Sequence, residues 1–311
     1  MKKTAVFLAL LLIMSCLSAC GGPAEDTGRV FGFTSMDNSN PFFITIIDAM
    51  KEEVEAHGDR LIVIDGALDQ QKQIDGIESM ISQEIDGIFL NPVEYQGVEP
   101  ALNALNEAGI PIVNFDTPVA SSDKVVAFVG SDNANAGRVC GEELIKRVPG
   151  GGKILIIKSE ATESVCSRVQ GFTDAIEGKG FEIVGESDAY CDQAAAMAAA
   201  TDLLQAHPDV VAVFAGNDPM AKGTLAAAES AGLKDVLIFG VDGSPDLKAE
   251  IAKEGSLIAG TGAQSPVTIA KRSVEVMYAY LNGEKTEKYY PVETFIINAE
   301  NVSEYGVEGW Q

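Results

Sequence analysis

Short apolar runs rich in β-branched residues alternate along the chain with longer segments whose apolar residues recur every three and four positions. The runs are typical of buried strands and the longer segments of amphipathic helices, so the alternation predicts βα units around parallel sheets. The pattern runs through one half of the chain and then restarts. The predicted strands span residues 30–35, 61–65, 87–91, 112–116 and 125–130, then 153–158, 182–186, 210–215, 236–241 and 257–260. The predicted helices span residues 41–57, 70–83, 98–108, 134–148, 165–178, 193–206, 220–231 and 246–253.

A helix at 266–281 and a strand at 291–297 follow the second half, and they exceed what a self-contained α/β unit needs. We therefore predict that the chain crosses back and that this helix packs on the first half. The crossings would lie near residues 130–133, 262–265 and 290–293.

The predicted fold class is α/β, with two doubly wound parallel-sheet lobes joined by three hinge crossings. The N-terminal lobe would comprise residues 29–131 and 265–290, and the C-terminal lobe residues 132–264 and 291–311. A crevice between two such lobes would be lined by the carboxyl ends of strands, which is where α/β sheets bind ligands.

The first residues have the layout of a secretory signal. Lys2 and Lys3 precede an apolar run at 5–14, and small residues follow up to Cys20. This segment resembles a bacterial lipoprotein signal, which implies a signal peptide at 1–19, a lipid on Cys20 and an extracytoplasmic, membrane-anchored protein. An uncleaved anchor helix is the alternative, but the run is short for a bilayer span. Residues 20–28 would then be a polar tether.

Composition narrows the class of partner. The formal net charge is −24, and removal of Lys2 and Lys3 with the signal makes it −26 (−24 − 2), which argues against nucleic-acid binding. Because the chain is 46% hydrophobic and long enough for two domains, we expect a globular protein. We predict that the protein binds no cofactor and that it is a monomer.

Several side chains suited to hydroxyl groups stand where predicted strands end. Asn40 precedes Phe42 and Phe43 at the start of the first helix, so an amide lies beside flat apolar rings, as in a small polyol site. Asp116 and Asp242 each follow an apolar strand, as does Asn217. Each of these polar residues could alternatively be a helix cap. We assign that role to Asp218 and Ser244, because each stands just before a predicted helix.

With these residues in place, the sequence resembles the ribose- and galactose-type periplasmic sugar-binding proteins of bacterial ABC importers, over nearly all of residues 29–297. The resemblance is carried by eight motifs in the order expected of that family. They are Asn40-Pro41-Phe42-Phe43, Asn91-Pro92, Phe115-Asp116, Gly130-Ser131-Asp132-Asn133, Arg168-Val169-Gln170-Gly171-Phe172, Phe214-Ala215-Gly216-Asn217-Asp218, Gly240-Val241-Asp242-Gly243 and Gln264.

The resemblance implies a solute-binding protein that closes around a sugar and delivers it to a permease. The residues that it implies as ligand contacts are Asn40, Phe42, Phe43, Asp116, Arg168, Tyr190, Asn217, Asp242 and Gln264. Aromatic rings would stack on the sugar while the polar groups bond its hydroxyls. Thr117 departs from the pattern, because ribose-like members have arginine after that aspartate, so ribose itself is in doubt.

The charges expected near the crevice favour a neutral ligand. Asp37, Asp116, Asp218 and Asp242 would face Arg168 alone, so anionic sugars should be repelled. A neutral polyol or sugar fits best, and a cationic amino sugar is the alternative.

Competing functions find less support. The stretch 260–265 half-matches a dinucleotide fingerprint but lacks the third glycine, and His57 and His207 lie at helix ends without a nucleophile beside them. No His, Cys or carboxylate spacing indicates a metal site. The sequence therefore predicts a protein that is not an enzyme. A sensor that presents its closed form to a chemoreceptor or kinase remains open.

Three cysteines lie in the predicted lobes. Cys140 is expected to be a buried free thiol in the middle of a helix. Cys166 and Cys191 both follow strands at the crevice edge, so a disulfide between them and two unpaired thiols are both open.

Overall fold

The computed structural model describes residues 28–311, which form two six-stranded sheets. The first sheet has the strand order β11-β5-β4-β3-β1-β2, and its pairings are parallel. Its strands are β1 (Val30–Ser35), β2 (Arg60–Asp65), β3 (Gly87–Leu90), β4 (Ile112–Phe115), β5 (Ala127–Ser131) and β11 (Tyr289–Val292).

The second sheet has the order β12-β10-β9-β8-β6-β7, in which only the edge strand β12 runs antiparallel. Its strands are β6 (Gly152–Lys158), β7 (Phe181–Asp188), β8 (Ala212–Ala215), β9 (Leu237–Asp242), β10 (Ile258–Ala263) and β12 (Phe295–Asn298). The α/β fold class with two mainly parallel sheets is thus confirmed.

Helices connect the strands and cover both sheets. They are α1 (Pro41–Ala56), α2 (Gln70–Ser82), α3 (Glu99–Glu107), α4 (Asn133–Arg147), α5 (Glu163–Ile176), α6 (Gln193–Ala206), α7 (Asp218–Ser230), α8 (Pro245–Ile251), α9 (Pro266–Leu281) and α10 (Val302–Tyr305). The central strands β3, β4 and β8 are buried along their whole length, as expected for parallel strands covered on both faces.

The prediction of one strand at 291–297 is wrong. The chain forms β11 in the first sheet and β12 in the second, with Glu293 and Thr294 between them. Thr294 is held at this crossing, because its hydroxyl donates to the Asp132 carbonyl at 3.0 Å and it accepts from Asn135 Nδ2 at 2.9 Å. Hydrophobic periodicity did not show the break, since apolar side chains continue on both sides of it.

The chain passes between the sheets in two further places, from β5 into α4 and from β10 into α9. Helix α9 packs against the first sheet, where Ile269, Ala270 and Val274 share a core cluster with Phe31 and Ile46. Among residues 28–311, no helix combines the length and apolar character needed to cross a membrane. The predicted signal peptide, the lipidated Cys20 and nearly all of the tether lie outside the described residues.

Candidate functional site

The carboxyl ends of both sheets face an inner cavity. It is lined by Met36, Asn40, Phe42, Phe43, Asp116, Thr162, Ser164, Val165, Arg168, Cys191, Asn217, Asp242 and Gln264. The folded chain thus brings together all of the ligand contacts predicted above except Tyr190.

The first sheet contributes an amide and two rings through the start of α1. Asn40 caps this helix, since its Oδ1 accepts from Phe42 N at 3.0 Å, which leaves the amide Nδ2 as its donor. The rings of Phe42 and Phe43 lie edge to face with centroids 5.5 Å apart, and both are almost fully buried. Pro41 in the first turn fixes the entry into the helix.

Asp116 is held at the end of β4 in a left-handed backbone conformation, with φ of 61°. Its Oδ2 accepts from Asn91 Nδ2 at 3.0 Å and from Thr117 Oγ1 at 3.2 Å. Its Oδ1 is buried and has no hydrogen-bond partner among the described residues. Burial raises the pKa of Asp116, and the nearby Arg168 opposes that rise. Backbone strain and unpaired buried oxygens are both found preferentially at functional sites.

Arg168 is the cation of the inner cavity. Helices α4 and α5 approach closely because Gly137 faces the Arg168 carbonyl, where a Cβ atom would collide. The guanidinium then donates from Nε to Asn133 Oδ1 at 2.8 Å, and from its NH1 nitrogen to the Gly216 carbonyl at 2.9 Å and Asp242 Oδ1 at 3.3 Å. Arg168 is only 4% exposed, so its side chain faces the interior and not the solvent.

Asp242 at the end of β9 links this cation to the crossing into α9. Its Oδ1 also accepts from Gln264 Nε2 at 2.8 Å, and its Oδ2 accepts from Asp218 N at 3.2 Å. Burial is the main cause that raises the pKa of Asp242; Arg168 lowers it and Asp218 raises it further. The Oε1 atom of Gln264 is buried without a partner in the described chain. It is therefore a second free acceptor in the inner cavity.

Tyr190 does not reach the inner cavity. It is 64% exposed, and Cys191 lines the cavity in its place. Both residues have positive φ, 53° and 61°, and this tight turn directs the two adjacent side chains differently. Of the three aromatic residues predicted to contact the ligand, Phe42 and Phe43 line the inner cavity and Tyr190 does not.

The helix caps also differ from expectation. Asn217, not Asp218, caps α7, because its Oδ1 accepts from Met220 N at 2.9 Å. Asp218 is fully buried and accepts from Ser244 N and Thr261 Oγ1, both at 2.7 Å. The cap assigned to Ser244 is present on α8. Asp218 is therefore a buried link behind Asp242 and does not line the inner cavity.

A contact between the two sides of the cavity was not predicted. Thr117 Oγ1 lies 2.9 Å from Ser164 Oγ, and these residues belong to the loop after β4 and to α5. Both side chains are almost fully buried. Thr117, which departs from the ribose-like pattern, thus forms a hydrogen bond with a residue on the opposite side of the cavity. The only sequence signal was the short polar stretch that follows the strand at 152–158.

The inner cavity is contracted, with a free volume of about 30 Å³. A cavity of this volume has room only for water molecules while its walls keep this arrangement. A larger outer chamber of about 380 Å³ adjoins it and shares Met36, Asn40, Cys191 and Asp242 as walls. Asp37 lies in the outer chamber, where its Oδ1 accepts from Ser39, and therefore does not face the inner cavity.

The three described cysteines are free thiols. Cys140 is fully buried, as predicted. Cys166 and Cys191 are not bonded to each other: the Cys166 thiol lies 3.7 Å from the Ser159 carbonyl, and that of Cys191 lies 3.7 Å from Thr162 Oγ1. Residues 28–311 also contain no group of three or more His, Cys, Asp or Glu side chains arranged for a metal ion.

Two mainly parallel sheets joined by three crossings, with a polar cavity between their strand ends, define a type I periplasmic binding protein. The sequence model of the periplasmic binding protein domain matches residues 31–285, and the chain belongs to this family.

Similar proteins agree with that assignment. The ribose import binding protein of Salmonella typhimurium is 32% identical over 298 residues, which cover 96% of this chain and 98% of that protein. An ABC transporter solute-binding protein of Mycobacterium smegmatis with bound glycerol is 31% identical, with a TM-score of 0.86 over 91% of this chain and 98% of that chain. One from Bacillus halodurans with bound myo-inositol is 30% identical, with a TM-score of 0.83 over the same shares. These relatives are transport binding proteins, so the prediction that the protein is not an enzyme is confirmed.

Proposed function

We propose that this protein captures a small neutral sugar or polyol in the inner cavity and delivers it to the permease of an ABC transporter. The observation that carries this proposal is the pair of buried acceptor oxygens, Asp116 Oδ1 and Gln264 Oε1, which have no partner in the described chain. Buried acceptors are destabilising unless a donor reaches them, and the hydroxyl groups of a polyol are donors. The Phe42 and Phe43 rings supply flat apolar surface beside them.

The charge balance of the cavity supports a neutral ligand. Its one arginine is already bonded to Asn133, Gly216 and Asp242, and two carboxylates face it. An anionic ligand would place its charge beside two buried carboxyl groups whose pKa values burial already raises, which is strongly unfavourable. The sequence predicted four acidic residues near the crevice. Of these, Asp116 and Asp242 line the inner cavity in the folded chain, and these two are enough to disfavour an anionic ligand.

We further propose that the sheets, with their helices, are two lobes that close on the ligand by rotation about the three crossings. Asn40, Phe42, Phe43 and Asp116 lie on one side, and Arg168, Asn217 and Asp242 on the other. A ligand that contacts both sides stabilises the closed arrangement relative to the open one. Small-angle scattering should show a smaller radius of gyration with ligand; an unchanged value with a tightly bound ligand would contradict the rotation.

The relatives and the first residues of the sequence suggest where capture occurs. The similar proteins are named for ribose import or were solved with glycerol or myo-inositol. We propose an extracytoplasmic protein held at the membrane by a lipid on Cys20, so that it remains near the permease.

A thermal-shift screen tests the ligand class. The panel should contain neutral monosaccharides, polyols, amino sugars, acidic sugars and amino acids. We expect neutral sugars or polyols to raise the melting temperature by an amount that grows with the logarithm of ligand concentration over Kd. Stabilisation by acidic sugars or amino acids alone would refute the proposal.

A further inference from the structure

The last three residues of the described chain lie across the mouth of the ligand site. Trp310 borders the outer chamber, and its ring meets that of Phe42 at a centroid distance of 5.6 Å and an interplanar angle of 72°. It packs on the core cluster of the first sheet, to which Phe42 belongs. Phe42 in turn lines the inner cavity. The indole therefore packs against one of the two rings that line the inner cavity.

The neighbours of Trp310 are fixed to the other side of the cleft. Lys248 on α8 is fully buried, and its ammonium donates to the Gly309 carbonyl at 2.6 Å. The side-chain amide of Gln311 donates to the Asp242 carbonyl at 3.2 Å and to the Gln264 carbonyl. These two carbonyls belong to residues whose side chains line the inner cavity.

The second side of the cleft is shaped to receive Gln311. Gly243 has φ of +79°, and a Cβ atom on it would collide with the Gln311 amide. Glycine at this position thus supplies both the backbone conformation and the space for the side chain. The buried ammonium bonded to the Gly309 carbonyl and the two backbone carbonyls bonded by the Gln311 amide hold the segment on this side of the cleft.

We propose that residues 309–311 form a clamp across the cleft, in which Lys248 and Gln311 hold the segment on one lobe while Trp310 positions Phe42 on the other. The clamp rests on the ligand site proposed above and extends it. Because residues 309–311 contact both sides at once, separation of the lobes must break either the contact of Trp310 with Phe42 or the hydrogen bonds of Gly309 and Gln311. The clamp therefore stabilises the closed arrangement and slows ligand release.

Trp310 is the single tryptophan of the sequence, so its fluorescence reports directly on the clamp. In ligand-free protein, Gln311→Ala and Phe42→Leu should each increase acrylamide quenching and shift the emission to the red, since they remove contacts on opposite sides. If only one of them changes the emission, Trp310 belongs to one lobe and the clamp is refuted. This result does not depend on the identity of the ligand.

The second part of the test measures binding of D-ribose, D-allose and myo-inositol. For whichever binds the wild type, Trp310→Ala should raise Kd roughly two- to tenfold, the range of an aromatic pair, mainly through faster dissociation. Trp310→Phe should restore part of the loss. The matched control is Tyr305→Ala. The Tyr305 ring stacks on Phe295 with a centroid distance of 4.9 Å and borders neither the inner cavity nor the outer chamber, so this variant should have the wild-type Kd.

The outcomes separate the two proposals. Equal Kd values for wild type and Trp310→Ala would overturn the positioning role, as would an equal loss in Tyr305→Ala, which would indicate a general effect on folding. Failure of all three compounds, followed by failure of the wider screen, would refute the proposed function. The quenching measurements would still decide whether the clamp exists.

Discussion

Asp116→Asn should weaken ligand binding while it stabilises the free protein. In the wild type, Oδ2 of Asp116 is bonded to Asn91 and Thr117, and the buried Oδ1 has no partner in the described chain. The asparagine oxygen can keep the bonds to Asn91 and Thr117. Its NH₂ group then occupies the place of Oδ1, and a ligand hydroxyl meets a donor instead of an anionic acceptor.

The size of the loss follows from the charge on that acceptor. Hydrogen bonds to charged groups contribute about 1.5–3 kcal/mol, which corresponds to a roughly ten- to hundredfold increase in Kd. The matched control is Asp37→Asn, because the Asp37 carboxylate bonds within its own turn and lies outside the inner cavity. Isothermal titration with the strongest ligand from the screen would measure both variants.

The stability of the free protein should change in the opposite direction. Burial raises the pKa of Asp116, so ionising this carboxylate costs folding free energy. The cost is absent below the pKa of the unfolded chain, grows as the pH rises towards the folded-state pKa and is complete above it. Asp116→Asn removes this cost at every pH at which the wild-type carboxylate is ionised, so the ligand-free melting temperature should rise more at higher pH. An unchanged Kd, or a large loss of stability together with weaker binding, would refute this account of the site.

Three further outcomes are expected. The affinity for a neutral ligand should fall as the pH is lowered through the raised pKa values of Asp116 and Asp242, because hydroxyl donors favour the ionised carboxylates. Binding should then release protons, which titrations in buffers of different ionisation enthalpy would detect. A flat pH profile would contradict this expectation. Thr117→Val should raise Kd several-fold through loss of about 1 kcal/mol from the bond to Ser164, and Ser164→Ala should add little to it in a double-mutant cycle; full additivity would show that the bond is not formed. Intact-mass analysis of detergent-extracted protein should find an acylated Cys20 at the amino terminus, and an unmodified chain that begins at Met1 would exclude the anchor.

The sequence by itself determined the fold class and most elements, because alternating strand and helix periodicities are local properties of the chain. The bounds of α6 and α9 were predicted without error, and the polar residues at the ends of β4 and β9 indicated the position of the site. Parallel strands bring their carboxyl ends to one edge, so Asp116 and Asp242 could be assigned to the cleft before any distance was known.

Only the tertiary structure decided which neighbour of a pair faces the cavity and which groups remain unpaired. Two consecutive positive φ angles direct Cys191 inward and leave Tyr190 exposed, which no periodicity reports. The split of one apolar run into β11 and β12 likewise depends on pairing with two different sheets. Contacts between residues distant in sequence, such as Phe42 with Trp310, arise only once the chain has crossed between the sheets, because sequence patterns carry the period of an element and not its partner.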